Sequence, residues 1–376
     1  MNKEKLISIL KYVAAVIVIL SMFVIIFYQN RDRDIFKFGK EESSQIIAAN
    51  QENLSGDAFA KSDVQRIGDK VAFLTPASFS VMDKNTEGES ETIAYSKPCL
   101  YADGKFAVIY DEGTTKATVY KMDRQSYSVA TENKIIKAKV NSNGYMIVAT
   151  EKEGYTCECI VYNKNGEAIF KWDMSSSEFL DGAVSINNNV IVLSVATAKD
   201  EKLYGELITI DITTAKVLKK HSVQSQLFYC IKMYKNDTCS AVSNKSLVYF
   251  NSDGSQKWKY DFGERVLIKA DMTEPDMMVL AFMPEGSVVQ GSSTDVKIVN
   301  RIGKVVAEKN YVGNIEDIAM SDNAVAMAFG KKVIIADTNL KDKKTMESDS
   351  VIKKIALFSS EKEVFVIGNS DSKILK

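Results

Sequence analysis

Two short strand signatures alternate along most of this chain with a period near 42 residues, and that period restricts the fold more than any other feature. The first is a β-type run, a polar turn and a second, more apolar run. It reads VQRIGDKVAFLT from Val64, CLYADGKFAVIY from Cys99, AKVNSNGYMIVAT from Ala138 and VSINNNVIVLS from Val184. It returns as IKMYKNDTCSAVS from Ile231, IKADMTEPDMMVLAF from Ile268, IAMSDNAVAMAFG from Ile318 and IALFSSEKEVFVIG from Ile355. With Asp69, Gly104, Gly144, Asn188, Asp237, Pro275, Asn323 and Glu361 as equivalent turn positions, the spacing averages about 42 residues. The second signature is an apolar strand ending in Asp or Asn, then a turn often closed by Gly. Examples are CIVYNKNGE from Cys159, LVYFNSDGS from Leu247 and VKIVNRIGK from Val296. Asp or Asn at the turn start caps its own backbone, and Gly supplies a positive φ.

Each second signature follows a first in register, so the two supply strands A–B and C–D of one unit. After the first sixty residues no stretch keeps a 3.6-residue period for three turns, which argues for an all-β domain. The period fits four-stranded blades, and the fold class expected is a β-propeller. Eight hairpins and seven complete C–D units favour eight blades, with seven as the alternative. The eighth blade reaches Lys376 after strand C, and a segment near Asp57 to Ala60 is a candidate for its outer strand. A blade cannot bury both faces alone, so residues 63–376 are expected to form one propeller domain.

The chain before it is different. Tyr12 to Asn30, YVAAVIVILSMFVIIFYQN, is nineteen residues without a charge. As a helix it spans roughly 28 Å, near the hydrocarbon thickness of a bilayer, with a tyrosine at each end for the headgroup region. A cleaved signal peptide would need a small-x-small site after it, and FYQNRDRD offers none. The expected organisation is therefore a short cytoplasmic tail (1–11), a transmembrane anchor (12–30), a polar stalk (31–62) and the propeller. Lys3, Lys5 and Lys11 barely differ in number from Arg31, Arg33, Lys37 and Lys40, so flanking charge does not set the orientation. A short tail that stays inside while a long domain crosses favours an extracytoplasmic propeller. Five cysteines pull the other way, since exposed thiols are uncommon in oxidising compartments.

The chemistry expected is sparse. With 48 Lys+Arg against 49 Asp+Glu the chain offers no global attraction to phosphate, so no nucleic-acid partner is expected. The single histidine, His221, excludes sites that need two imidazoles; it lies in KVLKKHSVQSQ, read as an exposed inter-blade segment. The acids of EGESE, Glu87 to Glu91, read as a solvated turn. Cys157 and Cys159 share one strand face at a spacing that would strain a disulfide. Cys239 falls opposite Met233 and Cys230 beside Val242, so they are not a cross-strand pair, and all five thiols read as buried hydrophobes. Met272, Met277, Met278 and Met283 read as core filling. The insertion GSVVQGSSTD, Gly286 to Asp295, is the best candidate contact loop. No catalytic, cofactor-binding or metal-binding residue is assigned.

The Asp/Asn turn closed by Gly and followed by an aromatic, as in YNKNGEAIFKW with Trp172 and FNSDGSQKW with Trp258, is similar to quinoprotein-type (PQQ-like) propeller repeats. The two tryptophans read as equivalent blade positions. The quinone chemistry of that group would need an adjacent Cys pair and a calcium-binding carboxylate set, which this chain lacks, so no cofactor is expected. No Trp-Asp closes a strand C, which disfavours WD40 membership. Anchor, stalk and propeller together resemble an uncharacterised family of single-span membrane proteins from clostridia and related Gram-positive bacteria. That resemblance implies no activity. The function expected is a non-enzymatic binding or scaffolding module in the cell envelope, its partner an envelope protein or wall polymer. Two alternatives stand: an envelope carbohydrate-active hydrolase or lyase using funnel carboxylates, and a cytoplasm-facing, membrane-tethered assembly platform.

Overall fold

A computed structural model describes residues 59–84, 90–274, 276–283, 293–359 and 362–376. Within them lie eight antiparallel meander sheets, seven four-stranded and one three-stranded, each packed on the next. Blades 1 to 8 cover 63–92, 98–130, 135–174, 178–224, 228–261, 266–312, 317–347 and 352–375. The domain is thus an eight-bladed β-propeller, with the first signature as strands A and B and the second as C and D. Helix is confined, among the described residues, to a turn at Phe59 and Ala60 and a 3-10 turn at Lys235–Asp237. None is long and apolar enough to cross a membrane, and the 12–30 run lies outside the described residues.

The core is not one cluster but a series of wedges between neighbouring sheets. Strand B supplies the most apolar rows, such as MIVAT at Met146–Thr150 and VFVIG at Val364–Gly368, buried at every position. A strand buried on both faces reads as a continuous apolar run rather than an alternating one. Strand D, the outer edge, alternates instead: Val305–Val312 is half-buried or exposed except at Tyr311.

The C–D turns lock one blade to the next. Asn163 accepts from the backbone N–H of Asn165 and Glu167 through its own Oδ1, and Gly166 N–H returns to the Asn163 carbonyl at 2.9 Å. Asn300 and Gly303 repeat the arrangement. In blades 2 to 7 the C–D pairing shifts register by one residue beside this turn, and in blades 2 and 5 the large residue beside that bulge, Tyr127 or Trp258, packs on the turn of the following blade. Gly303 has φ +82°, and a Cβ there would lie 2.8 Å from the Trp258 ring of blade 5. The Trp258 indole also donates to the Arg301 carbonyl at 2.8 Å. In blade 2 Tyr127 does the same work against Gly166, its hydroxyl donating to the Gly144 carbonyl at 2.8 Å. Blade 7 inverts the sizes: Leu340, at φ +57°, fills the glycine position and packs into the cluster that holds the small Ala307.

Two expectations need correction. Register places Trp258 opposite Tyr249 and Phe170 opposite Val161, so Trp258 matches Phe170; Trp172 sits two residues further along, opposite Cys159. The eighth blade has three strands among the described residues, and Phe59 and Ala60 form a helical turn instead of a fourth. Asp57 lies outside the described residues. The turn places the buried Phe59 in the wedge between blades 8 and 1, with Val71, Phe73, Phe358 and Phe365. Phe73 and Phe365 meet with ring centroids 5.1 Å apart, and Lys354 reaches Asp63 at 2.7 Å. The ring is therefore closed by side-chain packing and an ion pair. Truncating Phe365 to Ala should cost about 3–5 kcal/mol and lower the urea midpoint; an unchanged midpoint would show that this wedge does not hold the ring.

Candidate functional site

Strand A of each blade is the innermost, so its outer edge of N–H and C=O groups faces the axis without a neighbouring strand. Side chains of the preceding blade meet that edge. Gln65 of blade 1 accepts from Ala102 N–H and donates to the Leu100 carbonyl of blade 2, both at 2.8 Å. Asp181 of blade 4 accepts from Ile231 N–H of blade 5 at 2.7 Å, and Asp271 of blade 6 from Met320 N–H of blade 7 at 2.8 Å. Asp317 of blade 7 accepts from Ile355 N–H of blade 8 at 2.9 Å. An acceptor-bearing side chain, amide or carboxylate, is required at these places because nothing else can satisfy an unpaired N–H.

Lysines balance them. Lys137 and Lys139 of blade 3 hold the two oxygens of Asp181, each at 2.9 Å, and Lys269 approaches Asp317 at 3.7 Å. Burial works against the Asp181 carboxylate, but Lys139 and Lys137 outweigh it and hold its pKa below the ordinary value. Asp317 goes the other way: burial exceeds the pull of Lys269, and its carboxyl is pushed up. Two ion pairs cross the axis. Lys232 of blade 5 meets Asp103 of blade 2 at 2.8 Å, and Arg66 of blade 1 meets Glu274 in the A–B turn of blade 6. Lys139 lies over the Tyr101 ring at 4.6 Å and donates to the Ile231 carbonyl at 2.7 Å. Burial opposes the Lys232 charge, yet Tyr101 and Asp103 raise its pKa above the usual lysine value.

Glu274 is a second acid at the axis whose carboxyl is pushed up. Burial and a hydrogen bond with Asp322 push its carboxyl up to about 7, against the pull of Arg66. A second feature lies at the rim, where Glu132, Lys152, Glu158, Lys171, Trp172 and Asp173 line an open recess of about 510 Å³ on blade 3. Among the described residues no group of three or more His, Cys, Asp or Glu side chains could hold a metal ion.

Residues singled out from sequence are dispersed. His221 is on strand D of blade 4 and half-buried, 5.1 Å from the Phe250 ring; burial and then Lys259 hold its pKa below the ordinary value. The segment is thus a strand rather than a connection, and the imidazole is half-buried rather than exposed because it packs on Phe228 and Phe250 of blade 5. Cys157 and Cys159 are buried on one face with sulfurs 4.0 Å apart, Met233 faces Cys239 and Val242 faces Cys230, and all five thiols are free. Cys99 and Cys230 are only half-buried. Met272 and Met278 are core. Of the Glu87 to Glu91 turn, Glu91 is in a short strand and accepts from the Tyr120 hydroxyl; 85–89 lie outside the described residues. Of the contact loop, Gly286 to Asp295, residues 286–292 also lie outside them, and Ser293 to Asp295 begin strand C of blade 6. The axial set was missed, although each hairpin carries the signal: a charge or amide set inside an otherwise apolar first strand, as in IIKAKV and FLDGAV.

Residues 43–376 match DUF5711, a family of unknown function. The chain belongs to that family. No curated protein matches it in sequence. In shape this DUF5711 propeller is similar to BamB from Moraxella catarrhalis, at 11% identity and TM-score 0.53 over 83% of this chain and 95% of that one. It is also similar to Saccharomyces cerevisiae Sqt1, at 9% identity and TM-score 0.57 over 83% and 94% of the two chains. The C-terminal WD40 domain of Sif2 matches at 13% identity and TM-score 0.60 over 82% and 92%. These likenesses are of fold.

Folded Glu274 keeps a proton at pH values where an unfolded glutamate, near 4.5, has lost it. Stability should therefore fall as pH rises from about 4.5 through about 7, and Glu274→Gln should flatten that part of the profile. Urea melts of both proteins across the window check this; identical slopes would refute it.

Proposed function

We propose that this DUF5711 protein is a non-enzymatic binding or scaffolding module, anchored at the cell membrane by residues 12–30, with its propeller on the extracytoplasmic side. Its partner is an envelope protein or wall polymer. The observation that carries the binding reading is the state of the axis. The hub, where a propeller gathers the starts of all its blades, is crossed by ion pairs that join blades to each other, among them Lys232–Asp103 and Arg66–Glu274. What the ring offers to other molecules is its rim and its two faces. Similarity in shape to BamB and to a WD40 domain supports a scaffold of this kind.

The hydrolase alternative has one supporting feature, the raised carboxyl of Glu274. Glycoside hydrolysis needs two carboxyl groups about 5–9.5 Å apart with substrate between them. Glu274 and Asp322 are instead in direct hydrogen bond, and Arg66 occupies the remaining side. The cytoplasmic-platform alternative draws on the free thiols, which include the half-buried Cys99 and Cys230.

Protease shaving of intact cells should remove the propeller and leave a membrane-held N-terminal fragment. Protection until lysis would place the domain inside and overturn the location. Crosslinking on intact cells should join the full-length protein to a discrete envelope component. Failure to enrich any such component over an anchor-only control would overturn the binding role.

A further inference from the structure

The rim recess on blade 3 combines features that single out one class of ligand. Its floor is Glu158, whose side chain is only 7% exposed, held by Lys152 at 2.8 Å and approached by Lys171 at 3.8 Å. Lys152 also binds Asp173 at 2.6 Å and lies over the Tyr155 ring at 5.1 Å. These contacts fix the charged groups in place. The wall is Trp172, which lies next to Phe170 on the same strand with rings 6.4 Å apart and 13° from parallel. Two groups at the opening remain uncommitted: neither the Glu132 carboxylate nor the Trp172 indole N–H has a hydrogen-bond partner among the described residues.

The recess therefore presents an aromatic surface edged by fixed acceptors and donors. An apolar ligand would strand five charged side chains. An anion would meet three carboxylates against two lysines, one already shared by two acids. A bare cation finds Glu158 and Asp173 already taken by lysines and a single carboxylate, Glu132, left to hold it. A pyranose ring suits the arrangement, since its C–H face can lie on the indole while hydroxyls both donate to Glu132 and Asp173 and accept from Lys171 and the indole N–H. The volume, about 510 Å³, is within the usual range of small-ligand sites. We propose that this recess is a saccharide subsite that takes a neutral or amine-bearing sugar unit of a glycan and rejects acidic sugars. It deepens the wall-polymer half of the proposed function and rests on it.

The test uses the full-length chain in a detergent without a sugar headgroup, titrated calorimetrically with three tetrasaccharides: N-acetylglucosamine, glucosamine and galacturonate. At least one of the first two should bind with a Kd below about 1 mM, and the acidic one about tenfold or more weaker. Trp172→Ala should weaken binding about tenfold or more, with Trp172→Phe restoring most of it. The exposed Glu132→Gln, which breaks no contact of the folded chain, should weaken it about threefold at an unchanged melting temperature. Absence of binding to wild type by all three sugars at about 5 mM, equal binding of the acidic one, or indifference to both Trp172→Ala and Glu132→Gln overturns the proposal. Envelope crosslinking that persists in Trp172→Ala would accompany such a failure if only the sugar subsite is wrong; loss of crosslinking in wild type as well would remove the wider role.

Discussion

Every blade of this ring ends at the axis in a bare strand edge, and the rest of the hub follows from the need to cap it. An unpaired backbone N–H shielded from water costs about as much as a lost hydrogen bond. Water could serve in a wide channel, but here Gln65, Asp181, Asp271 and Asp317 reach across from the blade before. Carboxylates placed in such a narrow space need countercharges, and lysines follow on neighbouring strands. The sequence of causes runs from sheet edge to acceptor, from acceptor to charge, and from charge to ion pair. Asp181, met by two ammonium groups and a backbone N–H, shows all three steps at one residue.

At the outer rim the joining is steric. A turn residue of one blade and the first large residue of strand D in the blade before divide a fixed space between them. Gly303 with Trp258 and Leu340 beside Ala307 are two partitions of the same volume. This is why the repeat is conspicuous in its turns and vague elsewhere: the sum is constrained, the terms are free. It also explains a chain whose shape is similar to propellers at about a tenth identity. Packing to crystal-like density limits volumes, and many residue pairs meet the limit.

Strands and blade order were legible because their signals are local: alternation, Asn-led turns and a period near 42 residues. The register between Met233 and Cys239 followed from turn length alone. Trp258 matches Phe170 because each stands seven residues after its turn asparagine, Asn251 and Asn163, a count that the shared tryptophan type obscured. What was not legible depends on distance through space. The axial pairs join residues as far apart as Arg66 and Glu274, and nothing near either one announces the other. The rim recess brings Glu132, on the connection into blade 3, to Trp172 on that blade's outer strand, again invisible to any short window along the chain.

The cross-axis pairs bear on how the ring carries load. Eight wedges joined only to their neighbours form a hoop, and a hoop can be squeezed into an oval at little cost because each joint turns slightly. Lys232–Asp103 and Arg66–Glu274 are chords, each spanning three blades, and a hoop with chords is a braced wheel. A pull on one side of the rim is then transmitted across the centre rather than absorbed as a change of outline. Glu274, half-charged near neutrality, makes one of those chords adjustable.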